Sequence, residues 1–208
     1  IYISFHFLFL YIQNLTDLGT NYADLALLSV ILTCFSLFFV IFVGLILSFF
    51  EKIELGFLKK IFGLKAALFF HNYFTFAGTI IHELSHAALC ILTGAKLKEI
   101  CIFEENPERL GHISYCNRGP FFIRAFQDAL IASAPTFVGI FLFYFLAHKL
   151  FSENFPFYQK AIIIYLLISL VNHSSMSLVD TKAYIKSCWI LIFPFFITFF
   201  ITSVQILT

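Results

Sequence analysis

Charge is what this chain has least of. Only 12% of its 208 residues are Asp, Glu, Lys or Arg, and the formal net charge is +1. Lys and Arg are mixed among Asp and Glu, so there is no basic field to attract polyanions by counterion release, and no nucleic-acid partner is expected. Paired cysteines are lacking too. Cys34, Cys90, Cys101, Cys116 and Cys188 form no C-x-x-C, and Cys34, Cys90 and Cys188 lie in apolar runs where a thiol acts as a small hydrophobe. Cys101 and Cys116 are expected to face each other across a hairpin turning at residues 107–110, as thiols in a reducing compartment. Neither a repeat of 20 to 50 residues nor a Gly/Ser linker divides the chain, which points to one bundle. Residues 1–12 (IYISFHFLFLYI) have no basic start and no small-residue cleavage site, and read as an interfacial or truncated membrane piece.

What the chain has in excess is apolar: 61% hydrophobic residues, including 31 Phe. Residues 25–50 carry no charge over a length that crosses about 30 Å of hydrocarbon as a helix. Residues 51–66 (with Glu51, Lys52, Glu54, Lys59, Lys60 and Lys65) read as an amphipathic connector at the headgroups. Residues 67–93 are long enough to span and should stop at Gly94. The one substantial polar stretch, 95–122, contains alternating pieces that predict a β-hairpin at about 97–118. Further spans are expected at 125–147, with Pro135 starting or kinking it, at 161–176, and at 187–206, interrupted by Pro194. The expected fold is an all-α multi-pass membrane bundle of about five transmembrane helices with a small β-hairpin inserted after the helix at 67–93, which carries His82-Glu83-Leu84-Ser85-His86. Residues 1–66 would form an N-terminal membrane segment and connector, and 67–208 the core that carries the chemistry.

That chemistry centres on His82-Glu83-Leu84-Ser85-His86. A helix turns 100° per residue, so His82 and His86 share one face a turn apart and can grip one Zn2+, with Glu83 beside them as proton acceptor and donor. Ionisable groups within an apolar helix are costly, which makes a function the default explanation. A tetrahedral zinc needs a third protein ligand. Asp180 is the best candidate, because Ser177 can cap a helix beginning there and aim the carboxylate at its first turn. His71 shares the face of His82 but lies about 16 Å away along an unbroken helix, too far for the same metal. It is expected to be a pore-side or interfacial residue. His173 can line the site, whereas His112 falls in the hairpin and His148 near a membrane boundary.

These residues resemble the site-2 protease family of membrane-embedded zinc peptidases, in its small, divergent form. That family pairs H-E-x-x-H on one transmembrane helix with N-x-x-P-x-x-x-L-D-G on another. Here Asn172 and Asp180 stand at the required spacing, with Ser175, Val179 and Thr181 at the Pro, Leu and Gly positions. Ser133-Ala134-Pro135 is similar to the pattern that starts the family's next helix. The resemblance covers about residues 67–206. It implies one zinc held by His82, His86 and Asp180, general acid–base catalysis by Glu83, and a positioning or oxyanion role for Asn172. It also implies a substrate held in extended form against the hairpin, and zinc and hairpin on the cytoplasmic side.

The expected function is therefore intramembrane zinc-dependent hydrolysis of peptide bonds in or near transmembrane segments of membrane protein substrates, with the lipid bilayer of the cell membrane as setting. A separate regulatory membrane protein is a further expected partner. The alternative is a non-catalytic membrane protein: a metal-binding transporter, or an inactive protease-like binder of single-span partners.

Overall fold

The computed structural model describes residues 22–102 and 111–207, and they are mostly helical. Helix α1, Tyr22–Phe69, starts near the beginning of the first apolar run and does not stop at its end. The residues expected to form a separate connector continue as helix to Gly63, whose φ of 79° is left-handed and breaks the regular geometry. A wide π turn, Phe70–Phe74, and Thr75 then separate α1 from α2, Phe76–Leu92, so the apolar segment at 67–93 is not one continuous helix. The Thr75 hydroxyl donates to the His71 carbonyl. Ser169 then clamps the junction: its hydroxyl accepts from the Gly78 N–H at 2.7 Å and donates to the Thr75 carbonyl at 2.6 Å. Helix α2 ends as expected, with Gly94 at φ 77° and the Ala95 N–H returning to the Cys90 carbonyl.

Strands β1, Lys96–Cys101, and β2, His112–Cys116, form one antiparallel pair. The register corrects the sequence expectation. Cys101 faces His112 and Cys116 faces Lys96, which puts the two free thiols at opposite ends of the ladder. The expected turn at 107–110 lies outside the described residues, as do residues 1–12. Burial explains the register: Leu97 pairs with Tyr115, and both pack on the core of Cys90, Ala95 and Ile131. A polar clasp holds the hairpin base. The Tyr115 hydroxyl and the Asn117 amide both donate to Asp128, and the buried Gln127 accepts from the Arg118 N–H and donates to the Thr93 carbonyl.

Helix α3, Phe121–Ser152, holds Pro135 in its interior rather than at its start. Helix α4, Phe157–His173, ends three residues earlier than the span expected there, and α5, Leu178–Ser187, follows a non-helical Ser174–Ser177. Ser177 caps α5 as expected. A 3-10 turn, Cys188–Leu191, leads into α6, Ile192–Leu207, with Pro194 in its first turn, so the regular helix of this last apolar run is broken just before the proline.

Two compact units result. In one, Ile1–Phe39 with Cys188–Thr208, described residues Leu25, Leu28 and Leu32 pack against Phe199, Phe200 and Val204. The other, Val40–Ser187, contains the hairpin and all the residues expected to carry chemistry. Its helices approach closely. A methyl group on Gly78 would lie 2.1 Å from the Ser169 carbonyl oxygen, and one on Gly139 would lie 2.1 Å from the Ser174 hydroxyl. Among the described residues, three helical runs are long and apolar enough to cross a membrane: Tyr22–Phe74, Phe121–Ser152 and Leu178–Val204. Two shorter apolar helices, Phe76–Leu92 and Phe157–His173, accompany them.

Candidate metal centre

Helix α2 is built inside out. Thr79, Glu83, His86 and Cys90, spaced at the helical period, are buried, while Leu84, Ile91 and Leu92 on other faces are exposed. The small and polar stripe belongs to a helix that packs on α3 and α4, and the side chains of His82 and His86 face Asp180 in the first turn of α5.

Three ligand atoms converge there. His82 Nε2 and His86 Nε2 are 3.2 Å apart, and Asp180 Oδ2 lies 3.8 Å from the first and 3.5 Å from the second. Donors at about 2.0–2.2 Å from a tetrahedral zinc are separated from one another by about 3.3–3.6 Å, so the triangle has the size that such an ion requires. Among the described residues, this is the one group of three or more His, Cys, Asp or Glu side chains so arranged.

Hydrogen bonding behind the rings argues the same way. His82 Nδ1 lies 2.6 Å from the His173 carbonyl oxygen, and His86 Nδ1 lies 2.7 Å from that of Ile131. A carbonyl only accepts, so each Nδ1 carries the proton, and a ring neutral in that tautomer presents an Nε2 lone pair. Two lone pairs and a carboxylate oxygen then face one another with no donor between them. A cation resolves that arrangement, and pinned Nδ1–H groups are the usual way a protein aims imidazole ligands at one. The His173 carbonyl is available because α4 ends at that residue, leaving its last carbonyls without helical partners. Asp180 Oδ2 also accepts from the Ser177 N–H and hydroxyl, at 3.1 and 2.5 Å. The capping and ligating readings of this aspartate are thus met by the same rotamer.

A cavity of about 510 Å³ opens beside the triangle. It is lined by His82, Glu83, Asn172 and Thr79, by Gly111 from the hairpin, and by α1 residues from Ile41 to Lys52. Glu83 is 7% exposed, and a methyl on Gly111 would come within 3.0 Å of its Cγ, so the hairpin backbone closes over this carboxylate. Asn172 is buried on the cavity wall. All five residues singled out in the sequence, His82, Glu83, His86, Asn172 and Asp180, therefore gather at or beside one cavity. His112 and His148 are elsewhere, in β2 and at the exposed end of α3.

Sequence reasoning missed a second polar cluster in the same cavity. Glu51 Oε1 is 3.4 Å from His71 Nε2, and Glu51 Oε2 accepts from the Ser175 hydroxyl at 3.2 Å. The His71 ring lies 5.2 Å from that of His173, whose Nε2 contacts Thr75 at 2.9 Å. From the sequence Glu51 belongs to the connector, because its position directly after a long charge-free run looks like a headgroup boundary. The signal that could have found it is His71: two ionisable groups flanking apolar stretches have reason to meet. No family model, curated protein or solved structure matches this chain.

Proposed function

We propose that this chain is a multi-pass membrane zinc peptidase that hydrolyses peptide bonds in or near transmembrane segments of other proteins. One observation carries the reading: two Nδ1-pinned histidines and a capped aspartate direct three acceptor atoms to a common point, with a buried glutamate next to them on a cavity wall. The inside-out pattern of α2 and the three long apolar helices support the bilayer as surroundings, with α2 and α4 completing about five spans. A cell membrane location accords with that arrangement.

His82, His86 and Asp180 would hold the ion. When bound there, zinc supplies Lewis acidity, polarising a carbonyl and making water nucleophilic near neutral pH. Glu83 takes the proton from the attacking water and returns it to the departing amine. Its burial beneath Gly111 keeps the carboxylate beside the ligands and away from bulk water. Asn172, on the same wall, can donate its amide to the oxygen that gains charge as the carbonyl is attacked. A helical substrate has to unwind first, since its amides are engaged in internal hydrogen bonds. The substrate is thus a membrane protein, and a separate membrane protein can regulate its delivery.

Fluorescein-labelled casein, an unfolded protein, provides the test in detergent. Wild type supplied with zinc should cleave it, and Glu83→Gln should bind zinc with wild-type stoichiometry while losing about 10²–10⁴-fold in rate. Cleavage by Glu83→Gln at the wild-type rate would remove Glu83 from the chemistry, and no cleavage by zinc-loaded wild type would favour a metal-binding membrane protein without peptidase activity.

A further inference from the structure

The carbonyl that orients His86 belongs to Ile131, a residue well inside α3 and far from either end of that helix. Interior carbonyls are ordinarily occupied by the N–H four residues later. Four residues after Ile131 stands Pro135, which has no N–H, and whose ring pushes the carbonyl of residue i−4 off the helix axis. Resting on the zinc-site reading above, we propose that Pro135 is a positioning residue for the metal centre: it frees the Ile131 carbonyl to hold His86 in the Nδ1–H tautomer, with Nε2 directed at the ion.

The surrounding residues fit this role. Ser133 and Thr136 flank the proline and do not compete for the carbonyl. Ser133 donates to the Ala129 and Leu130 carbonyls, and Thr136 donates to that of Ser174. The helix stays continuous through Pro135; Ala132, Ala134 and Pro135 are buried, and α3 packs on α2. The small side chains let the backbone approach closely enough for the 2.7 Å contact. The two histidines are thus oriented by two kinds of unoccupied helix carbonyl. His173 offers one because its helix ends; Ile131 offers one because a proline removes the competing donor. Only the second depends on a side chain and can be switched off by substitution.

Pro135→Ala restores an N–H that competes with His86 for the Ile131 carbonyl. Zinc affinity, measured by chelator competition, is expected to fall about 10–100-fold, the usual cost of losing a partner behind a ligand. The thermal midpoint of the metal-free protein should stay within a few degrees of wild type, because the regained helix bond offsets the lost ring contacts. The decisive readout is ¹⁵N NMR of labelled histidine in the metal-free protein. His86 should carry its proton on Nδ1 in wild type and populate the Nε2–H form in Pro135→Ala, a change that a merely structural role would not produce. Wild type alone suffices if the variant does not fold, since an Nε2–H tautomer there would overturn the proposal. His86→Ala separates the two levels. Were it to bind zinc as wild type does, the site itself would be wrong. If it loses zinc while Pro135→Ala keeps wild-type affinity and tautomer, the site stands and the role of Pro135 falls.

Discussion

Two histidine clusters share one cavity and are built on opposite principles. Around Glu51, the carboxylate is met by donors: it faces His71 and accepts from the Ser175 hydroxyl, and His173 meets the Thr75 hydroxyl. Around Asp180, the donors are spent on the outside, on the Ile131 and His173 carbonyls, and the acceptors are left facing inward. The residue types are nearly the same in both. Which way the ring protons point separates a carboxylate already met by donors from one that faces two imidazole nitrogens, the arrangement on which the proposed zinc site rests.

The sharpest way to break this comparison is to delete one member from each cluster. His86→Ala or Asp180→Ala should lower zinc affinity by more than about 100-fold, because a tetrahedral site is left with two protein ligands. His71→Ala should leave zinc stoichiometry unchanged and show its effect in stability, by about 1–3 kcal/mol, as Glu51 loses its partner. Equal zinc loss in both variants, by chelator competition, would mean that the two clusters act as one site.

Packing should matter next. Gly78→Ala inserts a methyl against the Ser169 carbonyl at the junction between the π turn and α2. An overpacked helix contact costs about 1–3 kcal/mol, read as a lower thermal midpoint. Because Gly78 and Ser169 position the start of the helix that carries His82, zinc affinity should also drop, and an unchanged midpoint would show that the two helices separate freely.

The smallest effect is expected at the hairpin. Burial, together with the nearby Asp128 carboxylate, pushes the Tyr115 hydroxyl well above its ordinary value. The folded form therefore holds this proton more tightly than the unfolded form does. Stability from the clasp is fully present below about pH 10, the ordinary tyrosine value, and is lost as pH rises toward the folded one. Tyr115→Phe should flatten that alkaline loss, measured by thermal midpoint from about pH 10 upward, and should leave the zinc ligands untouched.

How much of this was legible in the sequence follows from the range of the interactions. His82, Glu83 and His86 could be read because their chemistry is written within five residues of one helix. Asp180 could be read because a local capping pattern aims it. The helix stop at Gly94 was local too. What the sequence concealed depends on contacts between distant segments. The hairpin register answers to Leu97 and Tyr115 packing on Cys90 and Ile131, and no turn signal near residue 107 reports that. The break in the expected 67–93 helix is stabilised by Ser169, almost a hundred residues away in sequence. Glu51 joins the cavity because α1 continues as helix past the end of the charge-free run. Composition alone reads that point as a boundary.

The most direct test of the central claim is zinc K-edge X-ray absorption on the purified, zinc-loaded chain. A first shell of nitrogen and oxygen at about 2.0–2.2 Å, with the outer-shell signature of two imidazoles, is the expected result. A sulfur contribution at about 2.3 Å, or a shell with no imidazole signature, would place the metal away from His82, His86 and Asp180 and contradict the account.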